Sequence, residues 1–300
     1  MDKDKLSYIY VSLAIILWAS TAAVGKLIVQ EITNIQLMFY SFIFSIMGLF
    51  MIVLFQKKLK LFQEYTKKDY LRMAGIGFVG CYLYYIFLFG ALMFAPAQEA
   101  FIVNYLWPLM VVIFAIIILK EKLTFLKISG ILLAIIGVYV VVTQGNILSF
   151  SFTNLKADLL AISGAVAYGL FSVLGKKYPY EKYTSMLIYY IFGFVFVLIT
   201  IFLFSSIPKI TYIQLLGIAW LGFATNALAF VFWFKALEYG DTSKMANLVF
   251  LTPFLSLVYI YILVGESILI SSFIGLVIIV LGIIIQSLRK NKKIKVQSKI

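Results

Sequence analysis

Long apolar runs, broken at short intervals by charges or by Pro, Gly and Asn, set the pattern of this chain. Ten such runs lie near 7–28, 35–56, 71–93, 97–119, 126–144, 157–177, 184–206, 212–236, 243–264 and 268–288. Each approaches the ~20 apolar residues that cross about 30 Å of hydrocarbon as a helix. The connections are short. Even the longest, Gln56–Tyr70 and Gly145–Lys156, leave no room for a soluble catalytic domain. The first run is longer than a signal-peptide core and meets Lys26 without a small-residue cleavage site, so it reads as a retained helix. The expected fold is an all-α integral membrane protein of ten transmembrane helices.

The pattern also repeats. Shifted by 145 residues, Gly77–Phe94 falls on Gly222–Tyr239, Pro108 on Pro253, Glu121 on Glu266, Gly130 on Gly275 and Gly137 on Gly282. A shift of 150 lays Trp18, Gly25 and Lys26 over Tyr168, Gly175 and Lys176. Residues 1–145 and 146–300 are therefore expected to be two five-helix units. Five is odd, so the second unit enters the membrane upside down. Inverted repeats of this kind suit alternating access around a site between the units.

Composition and charge sharpen this picture. Hydrophobic residues make up 64% of the chain and charged residues only 12%, far from the ~45–50% and ~25% of soluble domains. The net charge of +13 is no sign of nucleic acid, because of where it sits. With the N-terminus inside, all but Lys26, Lys156 and Lys209 of the 25 Lys+Arg fall in inside segments or the tail from Arg289. That asymmetry follows the positive-inside rule and predicts that both termini are cytoplasmic. Only Arg72 and Arg289 are arginines; this bias fits an AT-rich bacterial genome and a bacterial inner-membrane location. There is no His and one Cys, Cys81, which removes disulfide frameworks, Cys/His zinc sites and imidazole catalysis. No cofactor or metal is expected; the partners are the lipid bilayer and a small-molecule substrate, and the chain is a monomer or homodimer.

Candidate chemistry gathers at mid-membrane. Pro108 and Pro253 near the centres of runs four and nine are candidate hinges; each removes the bond to a carbonyl four residues earlier, Asn104 and Val249. Ala97, Ala100, Asn104, Trp107, Pro108 and Val111 share one helical face, a plausible cavity wall. Asn226 is the other central amide, as fitting for interhelical bonding as for substrate. Trp18, Tyr82, Tyr84, Tyr85 and Tyr168 lie away from the interfaces where Trp and Tyr normally gather, and together suit a stacking or cation–π wall. Glu99 is the carboxylate best placed to face a cavity mouth, with Lys244 its repeat counterpart. Lys26 and Lys176 are read as snorkelling. Gly130/Gly137 and Gly275/Gly282 read as packing or dimer contacts.

With a proline in each fourth helix, a Glu shortly after it and a glycine-punctuated fifth helix, the sequence resembles the EamA branch of the drug/metabolite transporter superfamily. Within it, the segment Asn104-Tyr105-Leu106-Trp107-Pro108 is similar to that of the YddG-type aromatic amino-acid exporters. The second half carries Thr252-Pro253 instead, so this motif is not duplicated. The resemblance implies a central cavity lined by spans one, three, four, six, eight and nine, with Tyr105 and Trp107 near the substrate. The expected function is export of amino acids, aromatic or broadly hydrophobic, by alternating access. Export of another metabolite or drug, such as choline or a sugar derivative, is the alternative. An intramembrane enzyme ranks last: a Ser/His protease lacks its His, and an aspartyl type lacks paired membrane Asp, Asp158 and Asp241 being helix-end residues. With no His and Glu99 at a mouth, facilitated diffusion is favoured over proton coupling.

Overall fold

The computed structural model describes residues 3–146, 154–240, 245 and 248–287, which are helical or in turns and loops with no strand. Asp241, Lys244, the tail from Arg289 and most of the Gly145–Lys156 loop lie outside the described residues. Among the described residues, eight helices are long and apolar enough to cross a membrane: α1 (Lys3–Val29), α2 (Asn34–Phe55), α3 (Lys67–Phe94), α4 (Ala97–Leu119), α5 (Phe125–Val142), α6 (Leu155–Lys177), α7 (Lys182–Phe204) and α8 (Tyr212–Tyr239). Two shorter apolar helices follow, α9 (Thr252–Val264) and α10 (Ile270–Ser287).

The helix starts follow from local sequence. Thr33-x-x-Gln36, Thr66-x-x-Asp69 and Thr211-x-x-Gln214 form capping boxes that open α2, α3 and α8, satisfying N–H groups that have no intrahelical partner. Asn154 and Glu181 cap α6 and α7. Apolar side chains are abundant on both sides of the bundle wall. Phe42, Phe89 and Tyr190 are fully buried, while Phe202, Phe204 and Ile213 are exposed, the distribution expected where hydrocarbon replaces water outside.

Several helices are irregular at mid-length. α1 breaks at Ser20, between Ala19 and Thr21, and the Trp220 indole donates to the Ser20 hydroxyl across 2.8 Å. α3 and α8 widen into π-helical turns at Phe78–Leu83 and Trp220–Leu228. α4 is two pieces, Ala97–Asn104 and Trp107–Leu119, separated by a turn at Tyr105–Leu106. A turn at Phe250–Leu251 precedes α9 in the same way, 145 residues further on. Pro108 and Pro253 thus sit in the first turn of a restarted helix, where the missing N–H costs nothing.

Glycine fixes the closest approach. α5 packs along α10 within the one chain. A Cβ on Gly137 would stand 2.7 Å from the Gly275 carbonyl oxygen, and one on Gly275 2.6 Å from that of Gly137. Both obstacles are backbone and cannot swing aside. Gly137→Val or Gly275→Val should therefore lower thermal stability in detergent, by ~1–3 kcal/mol as for an overpacked core. Gly75→Ala, which would add a Cβ with nothing within 4 Å, should not. Equal melting of all three would show that this contact does not hold the helices.

Candidate functional site

The broken helices surround a cavity of about 310 Å³. Its wall comes from α1 (Trp18, Thr21), α3 (Tyr84, Tyr85), α4 (Phe101, Asn104, Tyr105, Trp107, Pro108, Val111), α6 (Tyr168) and α8 (Asn226, Phe230, Trp233). Val249, Phe250 and Thr252, at the break before α9 and its start, complete it. These are spans one, three, four, six, eight and nine.

The aromatic wall is continuous. Tyr168 packs against Tyr84 at 4.7 Å between ring centroids and edge-on against Trp107 at 5.0 Å. Trp107 reaches Tyr105 at 6.2 Å, and across the cavity Trp18 meets Phe230 at 5.4 Å and Trp233 at 6.0 Å. Edge-to-face contacts of this kind hold rings at fixed tilt and leave faces available for a guest.

The polar groups in the wall are amides and hydroxyls; among the described residues that line it there is no charged side chain. Asn226 is held in a chain of bonds: the Tyr85 hydroxyl donates to its Oδ1 at 2.7 Å, and its Nδ2 donates to Ser45 Oγ at 3.1 Å. Tyr190 lies 2.9 Å from the Tyr85 hydroxyl and supplies the proton there, since that of Tyr85 is directed to Asn226. Asn104 Nδ2 donates to the Ala161 carbonyl of α6 at 3.1 Å. Gly164 makes the room, as a Cβ there would stand 2.6 Å from that nitrogen. The Val249 carbonyl, which Pro253 cannot bond, accepts the Tyr105 hydroxyl at 3.1 Å.

Of the residues read as a site from sequence, Trp18, Tyr85, Asn104, Tyr105, Trp107, Tyr168 and Asn226 line this cavity, as does Pro108. Two do not. Tyr82 turns toward α7, its hydroxyl 2.6 Å from Thr200 Oγ1, because the widened turn at Phe78–Leu83 shifts the helical phase between it and Tyr85. Glu99 is no cavity-mouth residue: it is 2% exposed and lies beyond the lining, in the first turn of α4. Pro253 adjoins the lining through Thr252. Thr21, Phe230, Trp233 and Phe250 line the cavity without having been singled out; in a chain this apolar, a lining Phe or Trp carries no local mark.

Polar bonds tie the two ends of the bundle. At the end predicted to face outside, Glu266 accepts from the N–H groups of Ala97 and Gln98 at 2.8 and 3.3 Å, a carboxylate on a helix N-terminus. Lys26 does not snorkel but donates to the Leu92 and Ala95 carbonyls, both at 2.7 Å. At the opposite end, Lys58 pairs with Glu181 at 2.7 Å, and Lys176 and Lys127 pair with Glu121 at 3.1 and 3.2 Å. Hydrogen bonds from Lys176 and then Lys127 hold the Glu121 carboxyl below the usual carboxylate range.

Broken helices around a mid-bundle cavity define a class, the multi-pass helical membrane proteins with a central cavity. The EamA-like transporter family matches residues 5–143 and 155–288, and this chain belongs to that family. It is 31% identical over 243 residues to the uncharacterized transporter YyaM of Bacillus subtilis (strain 168), spanning 76% of this chain and 78% of that one. It is 27% identical over 191 residues to the aromatic amino acid exporter YddG of Ancylobacter novellus, spanning 61% and 63%. A solved structure, described as "Crystal structure of protein", superposes with a TM-score of 0.69 at 22% identity, covering 95% of this chain and 97% of that one. That likeness concerns the fold.

The Tyr105–Val249 bond joins the two breaks. Tyr105→Phe deprives the carbonyl of its donor and should lower stability in detergent by ~1 kcal/mol. The exposed Tyr212→Phe serves as control. Unchanged melting of Tyr105→Phe would mean that the carbonyl finds another partner.

Proposed function

We propose that this protein exports amino acids, including aromatic ones, across a bacterial inner membrane by alternating access. On this reading residues 1–145 and 146–300 are two inverted five-helix units, α9 and α10 complete ten spans, and both termini lie in the cytoplasm. The breaks at Tyr105–Leu106 and Phe250–Leu251, 145 residues apart and both facing the cavity, support the two-unit reading.

The observation that carries the substrate class is the cavity's chemistry. Its volume lies at the small end of the ~300–1,000 Å³ usual for ligand sites, a fit for a metabolite rather than a bulky drug. A phosphate or sulfate would lose its hydration against a wall whose described residues bring no counter-charge. An amino acid carries its own two charges. Its ammonium suits helix-break carbonyls and ring faces, its carboxylate suits amide and hydroxyl donors, and its side chain suits the aromatic wall. The likeness to the exporter YddG supports the same class.

Counterflow in proteoliposomes with a labelled amino-acid panel tests the function. Exchange of phenylalanine or another apolar amino acid is expected; exchange of none would overturn the reading. Loss of one stacking partner, at about 0.5–1.5 kcal/mol, should make Trp107→Ala weaken apparent affinity about three- to tenfold. Asn104→Leu should reduce transport more, since a buried polar group loses its partner at ~1–3 kcal/mol. Ile117→Ala, on the outward face of α4 at 66% exposed, should match wild type. Unchanged kinetics in both site variants, with normal folding, would place the substrate elsewhere.

A further inference from the structure

Two carboxyls meet at the start of the α4–α6 seam, outside the cavity lining. Asp158, in the first turn of α6, is 4% exposed. Neither of its carboxylate oxygens accepts a bond from any N–H or O–H donor among the described residues, and it forms no ion pair there. What it does meet is Glu99 of α4, side chain to side chain. Two ionised carboxylates cannot lie in contact away from water; such a pair holds a proton between its oxygens.

The charged groups nearby among the described residues are engaged elsewhere. Lys26 of α1 is engaged by the Leu92 and Ala95 carbonyls. Glu266, from the loop before α10, is engaged by the Ala97 and Gln98 N–H groups. Lys156, two residues before Asp158, lies over the Phe94 ring at 3.7 Å. The facing end of α3 and the start of α10 bring no charged residue, and α5 brings Tyr139.

The same seam holds the cavity. Five residues after Glu99, ~7.5 Å along the helix, Asn104 donates to Ala161, three residues after Asp158. Trp107 and Tyr168 then close the seam as cavity wall. We propose that Glu99 and Asp158 share one exchangeable proton and form the proton-carrying site of the transporter. The proton leaves to water on the side to which the seam has parted, exposing two charges that water can solvate, and the seam closes again only when a proton has rebound there or solute has taken its place. Coupling to solute rests on the export reading; possession of the proton does not.

Infrared spectroscopy of the full-length protein at neutral pH, in lipid, tests the pair without any substrate. Wild type is expected to show a protonated-carboxyl C=O band that Glu99→Gln and Asp158→Asn each remove and Lys156→Gln leaves in place. Absence of a band removed by both variants overturns the proposal. In proteoliposomes, a lumen-acid gradient of one pH unit should then drive phenylalanine accumulation, up to about tenfold per coupled proton, in wild type and Lys156→Gln but in neither carboxyl variant. Wild-type exchange that ignores the gradient overturns the coupling. If no solute in the amino-acid panel moves at all, the export reading falls and the infrared band alone judges the pair.

Discussion

A carbonyl or N–H without a partner in hydrocarbon has no water to relieve it, so each break in a membrane helix requires a replacement donor or acceptor. This chain breaks or widens its helices repeatedly around the cavity, and much of its scarce polar inventory is engaged by backbone. Tyr105 bonds Val249, Asn104 bonds Ala161 and Lys26 bonds Leu92 and Ala95. Asn34 likewise bonds Ile86, Gln36 bonds Ser206 and Tyr40 bonds Pro208. Most of these bonds run between helices distant in sequence. Local irregularity is thereby turned into tertiary cohesion, and the cavity exists because the irregularities face one another.

The two central amides illustrate how a polar side chain can serve both structure and site. Asn226 is satisfied at both ends by Tyr85 and Ser45, so α2, α3 and α8 are locked together behind the wall. A guest meeting this amide meets a pre-oriented group, not a flexible one. Asn104 is anchored at its nitrogen by α6. Its bond and the Trp107–Tyr168 contact span the same seam, so a solute touching Asn104 and Trp107 bears directly on whether α4 and α6 stay together.

Much of this was legible in the sequence, for identifiable reasons. Apolar runs reported the helices because hydrocarbon tolerates little else. The prolines reported the breaks because their missing N–H is a local fact, and the Val249 carbonyl identified by counting back from Pro253 is the one that Tyr105 engages. Phase was less legible. Tyr82 and Tyr85 lie three apart and would share a face of a regular helix, but the π-helical turn at Phe78–Leu83 parts them. Burial of charge was least legible. Asp158 looks like any residue capping a helix start; only the packing of α4's first turn against α6 removes it from water. The ninth run, read from 243, is helical at Met245, Leu248 and Val249 and is interrupted by the turn at Phe250–Leu251 before α9.

Seen from the two ends, the fold holds its helices by related means. Glu266 satisfies the N–H groups at the start of α4 that have no intrahelical partner, with the Lys26 ammonium nearby. Glu121, its counterpart 145 residues earlier, lies at the opposite end paired with Lys176, the counterpart of Lys26. A carboxylate at a helix N-terminus is worth about 0.5–2 kcal/mol, and an exposed ion pair roughly 0–1 kcal/mol. Neither is strong enough to forbid opening, and both are weak enough to exchange within the few kcal/mol that separate populated states of one protein. In the proposed cycle, parting the outer end requires α4 to leave Glu266, which strands two N–H groups at the place where the Glu99–Asp158 seam begins. Whatever opens that end must therefore hydrate the helix start and the carboxyl pair together. This makes a change in proton occupancy and a change in access the same structural event.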